Sequence, residues 1–157
     1  ATVEQQIHQI LTERGLKLAV AESCTGGTIA SKFTAMAGAS AYFMAGAVTY
    51  SNEAKHDLLG VSWESLNQYG AVSEQVAREM AEGVRRVAGA DYAIATTGIA
   101  GPTGGSAEKP VGTVWMAVAT PKGTTAIMRN SGTDRGQIIS RASAYAMELL
   151  LNELKRQ

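Results

Sequence analysis

Apolar residues along the chain change spacing several times, and each change marks an element. Val3, Ile7, Ile10 and Leu11 recur at helical spacing and Gly15 supplies a stop, which predicts an opening helix. "LKLAVA" predicts a buried strand that ends in "ESCTGG". From about Gly26, "GGTIASKFTAMAG" predicts a helix ending near Gly38, and "AYFMAGAVTY" a second strand. Ser51 is placed to cap a short helix through "NEAKHDLLG", and Ser62 another in "WESLNQYG". Ser73, followed by Glu74 and Gln75, opens the most clearly patterned helix, with Val76, Met80, Val84 and Val87 on one face.

"DYAIATTG" predicts a third strand running into "GIAGPTGGSAEKPVG", a long glycine-rich loop that also holds Pro102 and Pro110. A loop of that length in a compact domain is a candidate functional segment. "TVWMAVAT" and "TTAIMRN" flank "PKG" as an antiparallel hairpin. The last segment predicts a closing helix with Ile138, Ala142, Tyr145, Leu149 and Leu150 at core spacing. Strands alternate with helices and a hairpin comes late, so the expected fold class is α/β, a mixed sheet between helical layers. No repeat, linker or internal boundary appears, so residues 1–157 are expected to form one domain.

Composition narrows the function. The chain has 157 residues, 45% hydrophobic and 18% charged, a globular balance. Its 14 basic and 14 acidic residues cancel, which argues against a broad nucleic-acid footprint while leaving room for a local basic pocket. One cysteine excludes an intrachain disulfide and any multi-cysteine zinc site, and suits a reducing cytoplasm. With two histidines and no HxxxH, a metal site is not expected, nor any other cofactor. No apolar run is long enough to span a bilayer, and the first residues lack a signal core, so no membrane partner is expected.

Three stretches with unusual chemistry follow predicted strands: "ESCTGG", "TYSNEAK" and "TTGIAGPTGG". In α/β proteins ligands bind outside the carboxyl ends of strands. In the first, Ser23 is a candidate nucleophile, with the N–H groups of Thr25, Gly26 or Gly27 as oxyanion donors. The same donors suit a phosphate, and a plain helix cap with packing glycines explains the residues equally well. A serine nucleophile needs a base. His8 reads as a surface residue, His56 as facing either way, and no triad order appears. Lys55 is the better base, provided burial lowers its ordinary pKa of about 10.4 by roughly three units. Its alternative is a solvated helix lysine. Cys24 ranks second as nucleophile, because a lone cysteine after a buried strand is more often core. Glu22 reads as a structural anchor. "GIAGPTGG" fits neither the Walker A nor the dinucleotide pattern; its glycines, Gly98 and Gly101 among them, are candidates for substrate contact. Lys109 and Arg135 are candidate anion partners, and Trp63 and Trp115 read as core or interface residues.

The stretches "AESCTGG", "VTYSNEAK", "GAVSEQVAREMA", "TGIAGPTGGSAEKPVGTVW" and the "DR" opening the last helix resemble the CinA C-terminal domain family, also called the PncC or nicotinamide-nucleotide amidohydrolase family. The matches run in order through residues 20 to 145. Some members carry an N-terminal domain that resembles molybdopterin-binding proteins; the resemblance here is to a stand-alone member. It implies a three-layer α/β/α domain that hydrolyses nicotinamide mononucleotide to nicotinic acid mononucleotide and ammonia, a small-molecule nucleotide substrate handled without metal. It implies Ser23 as nucleophile, Lys55 as general base, Thr97 and Tyr50 in supporting roles, and Arg135 at the phosphate. Many members have a richly basic segment after the "DR"; in "DRGQIISRA" Arg141 is what remains of it, the second residue that the resemblance implies at the phosphate.

Two other functions fit the same residues: a non-catalytic nucleotide-binding or partner-interaction domain of this fold, and a hydrolase for a different small amide. Apolar helix faces and methionine-rich surfaces suggest a homo-oligomer.

Overall fold

The computed structural model describes all residues, Ala1 to Gln157. Five strands form one sheet: β1 (Leu18–Glu22), β2 (Phe43–Val48), β3 (Tyr92–Gly98), β4 (Thr113–Thr120) and β5 (Gly123–Asn130). Their order is β2-β1-β3-β4-β5. β1 runs parallel to β2 and β3, whereas β4 is antiparallel to both β3 and β5. The helices are α1 (Val3–Arg14), α2 (Thr28–Thr34), α3 (Asn52–Leu59), α4 (Trp63–Tyr69), α5 (Glu74–Ala88) and α6 (Arg135–Arg156). The α/β class, the mixed sheet and the late hairpin are as expected.

Side-chain size sorts the two layers. On β3 and β4, Tyr92, Ile94, Val114, Met116 and Val118 face one way and join Ile7, Leu11, Phe33, Ile138, Leu150 and Leu154 from α1, α2 and α6. Alanines face the other way: Ala93, Ala95, Ala117 and Ala119 pack against Val76, Met80 and Val84 of α5 and Leu59 of α3. Strand alternation puts successive residues on opposite faces, so the "AIA" and "MAVA" runs set a large-residue layer against a thin one. Gly83 extends the close approach to α3, since a Cβ there would lie 1.9 Å from the Leu59 carbonyl oxygen.

The caps match their serines. The hydroxyls of Ser51, Ser62 and Ser73 accept from the amides of Ala54, Ser65 and Val76. Two expectations shift. The helix expected from Gly26 to Gly38 spans only Thr28–Thr34: Gly26 and Gly27, with φ of 62° and 100°, left-handed values that no right-handed helix includes, hold its start at Thr28, and residues 35–38 form a turn that ends at Gly38 with φ of 91°. A single 3-10 turn, Ala39–Ala41, follows it. Val87 holds the core spacing of α5 but is 66% exposed, in the last turn of the helix.

Candidate active site

Three parallel strand ends build the site. β1 pairs Ala21 with Ala95 of β3, and Glu22 with Val48 of β2. The ladder extends one step further on each side: the Ser23 amide donates to the Thr96 carbonyl at 3.1 Å, and the Thr49 amide donates to the Glu22 carbonyl at 2.8 Å. Ser23 therefore stands between Thr49 and Thr97, and residues paired in a sheet share a face.

Lys55 rises from α3 toward that face. Its Nζ lies 3.0 Å from Ser23 Oγ and donates to the Thr49 carbonyl at 2.7 Å. Lys55 is 1% exposed and Ser23 8%. Burial brings the Lys55 pKa down to about 8. At pH 7.5 roughly a quarter of such lysines are neutral, against about one in a thousand at the ordinary value. A neutral amine can donate to the Thr49 carbonyl and still accept the Ser23 hydroxyl proton.

The turn after β1 is held from below. Glu22 is buried, and its carboxylate accepts from the Thr25 hydroxyl at 2.6 Å and from the Ile29 and Ala30 amides at 3.0 Å each. The Thr25 proton is thus committed to Glu22, so the Thr96 hydroxyl donates to Thr25 Oγ1 across 2.8 Å. Glu22 is the anchor of the turn and does not touch Lys55. Of the turn amides, Gly26 N–H donates to the Ser23 carbonyl at 3.0 Å, whereas the amides of Thr25 and Gly27 have no partner within the protein. Cys24 is 4% exposed, and burial pushes its thiol up to about 12, too high for a thiolate near neutrality.

The remaining candidates lie around this centre. Thr97 is buried and neighbours Ser23 in the sheet, but its hydroxyl donates to the Ala71 carbonyl at 2.8 Å. Gly98 is a packing glycine: a Cβ there would meet Val114 Cγ2 at 2.6 Å and the Thr113 carbonyl at 2.8 Å. Tyr50 is 61% exposed, and its hydroxyl accepts from Arg135 Nη2 at 3.0 Å. Arg135 also donates through Nη1 to the Gly101 carbonyl, so one guanidinium links the segment after β2, the glycine loop and α6. Arg141 is exposed on α6, about 240° round the helix from Arg135, and does not share its face. Lys109 is occupied by the Tyr69 carbonyl at 2.7 Å.

Neither histidine reaches Ser23. His8, expected at the surface, is half-buried with Nδ1 2.8 Å from the Tyr42 hydroxyl. His56 places Nδ1 2.8 Å from the Val61 carbonyl and stacks on Trp63 with ring centroids 4.8 Å apart. Thr49 was missed by sequence reasoning; it stands beside two singled-out residues, and only the strand register reveals its burial.

The chain matches the family model described as CinA C-terminal domain over residues 1–154. The chain belongs to the CinA C-terminal domain family. It is 52% identical over 150 residues to the nicotinamide-nucleotide amidohydrolase PncC of Escherichia coli K12, covering 94% of this chain and 90% of that protein. It is 50% identical over 154 residues to a CinA-like protein of Shewanella sediminis, covering 98% of this chain but 36% of that longer protein. The chain thus spans about a third of the length of that CinA-like relative. Among solved structures, the competence damage-inducible protein A of Klebsiella pneumoniae superposes with a TM-score of 0.94 at 38% identity, over 98% of this chain and 95% of that one. As a member of the CinA C-terminal domain family, the chain has the three-layer α/β/α architecture expected from its motifs. No helix is long and apolar enough to cross a membrane.

Proposed function

We propose that the chain hydrolyses the carboxamide of nicotinamide mononucleotide, giving nicotinic acid mononucleotide and ammonia, with Ser23 as nucleophile and Lys55 as base. The observation that carries the mechanism is the buried 3.0 Å contact between Ser23 Oγ and a Lys55 amine whose pKa is near 8. The 52% identical amidohydrolase supports the substrate and the reaction.

Ser23 Oγ attacks the carboxamide carbon as Lys55 takes its proton. The developing oxyanion faces the unpartnered amides of Thr25 and Gly27. Collapse breaks the C–N bond, and the Lys55 ammonium returns its proton to the nitrogen, which leaves as ammonia. Water then attacks the acyl-enzyme with Lys55 again as base, and the acid product departs. Arg135, exposed beside Tyr50 and Gly101, is the phosphate partner. Exposed Met44 and Val48 on edge strand β2 support self-association, which light scattering would measure.

The test mixes the protein with nicotinamide mononucleotide and measures ammonia. Release by the wild type and none by Ser23→Ala is the expected result. Equal release by both would reject Ser23 as nucleophile, and none by either would reject the substrate.

A further inference from the structure

Thr49 lies one residue past β2 and is fully buried. The β1–β2 register sets it beside Ser23, and its side chain leaves the sheet on the side from which Lys55 arrives. Its carbonyl oxygen holds Lys55 Nζ at 2.7 Å. Its hydroxyl is buried with no hydrogen-bond partner. Buried hydroxyls are almost always paired, and an unpaired one lowers stability.

The base has a complementary need. As a neutral amine, Lys55 gives one of its two N–H groups to the Thr49 carbonyl and offers its lone pair to the Ser23 hydroxyl. Once Ser23 Oγ bonds to carbon and its proton moves to Nζ, the ammonium has three N–H groups and its serine partner becomes a poor acceptor. Buried ammonium protons without acceptors are costly.

We propose that the Thr49 hydroxyl accepts the additional N–H of Lys55 when the amine becomes an ammonium, making Thr49 a positioning residue for the base. The proposal rests on the Ser23–Lys55 reading. Thr49 keeps its own proton throughout. The transferred proton comes from Ser23, rests on Nζ and leaves with ammonia. A turn about χ1 between staggered positions re-aims the hydroxyl.

The test compares wild type, Thr49→Val, Thr49→Ser and Ser23→Ala in ammonia release from nicotinamide mononucleotide and in thermal unfolding. Thr49→Val keeps the shape and loses the acceptor. Its kcat is expected to fall about 10- to 100-fold, the loss of one hydrogen bond to a charged group. KM should stay within about twofold, and Thr49→Ser should restore most of kcat. Above pH 8, where Lys55 is mostly neutral and the hydroxyl stays unpaired, Thr49→Val should unfold about 2–4 °C higher than wild type. An unchanged kcat in Thr49→Val, or equal losses in the valine and serine variants, would overturn the proposal. If the valine variant does not fold, Thr49→Ala against Thr49→Ser makes the same comparison, and equal kcat values would overturn it. Activity retained by Ser23→Ala would instead overturn the Ser23–Lys55 reading, and this proposal with it.

Discussion

Arg135 reaches the hydroxyl of Tyr50 at 3.0 Å across 85 residues of sequence, joining the start of α6 to the segment after β2. Its other nitrogen holds the Gly101 carbonyl, so the guanidinium is fixed in place while remaining exposed. An exposed, oriented guanidinium suits a phosphate, and removing it should weaken binding without altering chemistry at the carboxamide. Arg135→Ala is expected to raise KM for the mononucleotide about 10- to 100-fold with kcat within about threefold. Tyr50→Phe removes only the brace, and KM should rise about fivefold. Steady-state kinetics of the two variants checks both values; a loss confined to kcat in Arg135→Ala would place the residue at the chemistry instead.

With Lys55 as the proposed base, the pH dependence of the reaction follows from its burial. Lys55 in the free protein loses its proton near pH 8 because burial disfavours the ammonium. kcat/KM should therefore rise about tenfold per pH unit below pH 8 and level off above it. Lys55→Arg keeps a cation that stays protonated across this range, and should remove the activity at every pH. Initial rates from pH 6 to 10 test the limb; a midpoint near 6.5 would point to a histidine, although His8 and His56 are both bonded elsewhere.

Much of this arrangement was legible in sequence. Ser51, Ser62 and Ser73 announced their helices because a cap is a local interaction. Ser23 and Lys55 could be paired by eliminating histidines, since a serine nucleophile demands a base. The extent of α2 was misjudged because "GGTIASKF" reads as continuous helical spacing, while the positive φ of two glycines is a property of the folded turn. Thr49 and the Arg135–Tyr50 link were invisible for another reason. The first depends on the register of parallel strands and the second on where the chain after β5 delivers the start of α6, and neither leaves a trace in the spacing along the chain.

Glu22 gives the turn its shape, and its removal should be felt mainly in stability. It accepts from one hydroxyl and two amides while almost wholly buried. Glu22→Gln keeps the volume but replaces one acceptor oxygen with an NH2 group that faces a donor. The expected loss is about 3 kcal/mol, which lowers the unfolding midpoint by roughly 6–12 °C. Calorimetry against wild type measures it. A midpoint within about 2 °C of wild type would mean that the turn holds its form without the carboxylate.

Lys55 should cost the fold stability at neutral pH, in exchange for a base that works there. Its pKa is about 8 in the folded protein, against the ordinary 10.5. Below pH 8 the lysine is charged in both states, and only the folded state bears the cost of burying it. Between about pH 8 and 10.5 the unfolded chain binds more protons than the folded one, so stability rises with pH; above 10.5 the contribution is level. The difference corresponds to roughly 3 kcal/mol. Lys55→Met, of similar length and without charge, is expected to be more stable than wild type at pH 7 by up to about 3 kcal/mol. The gap should narrow steadily as pH rises through 8 to 10.5, because the wild type gains what the variant already has. Urea unfolding at intervals across that range decides it: parallel stability curves would show that the buried amine carries no such cost, and that something other than burial prepares it to take the Ser23 proton.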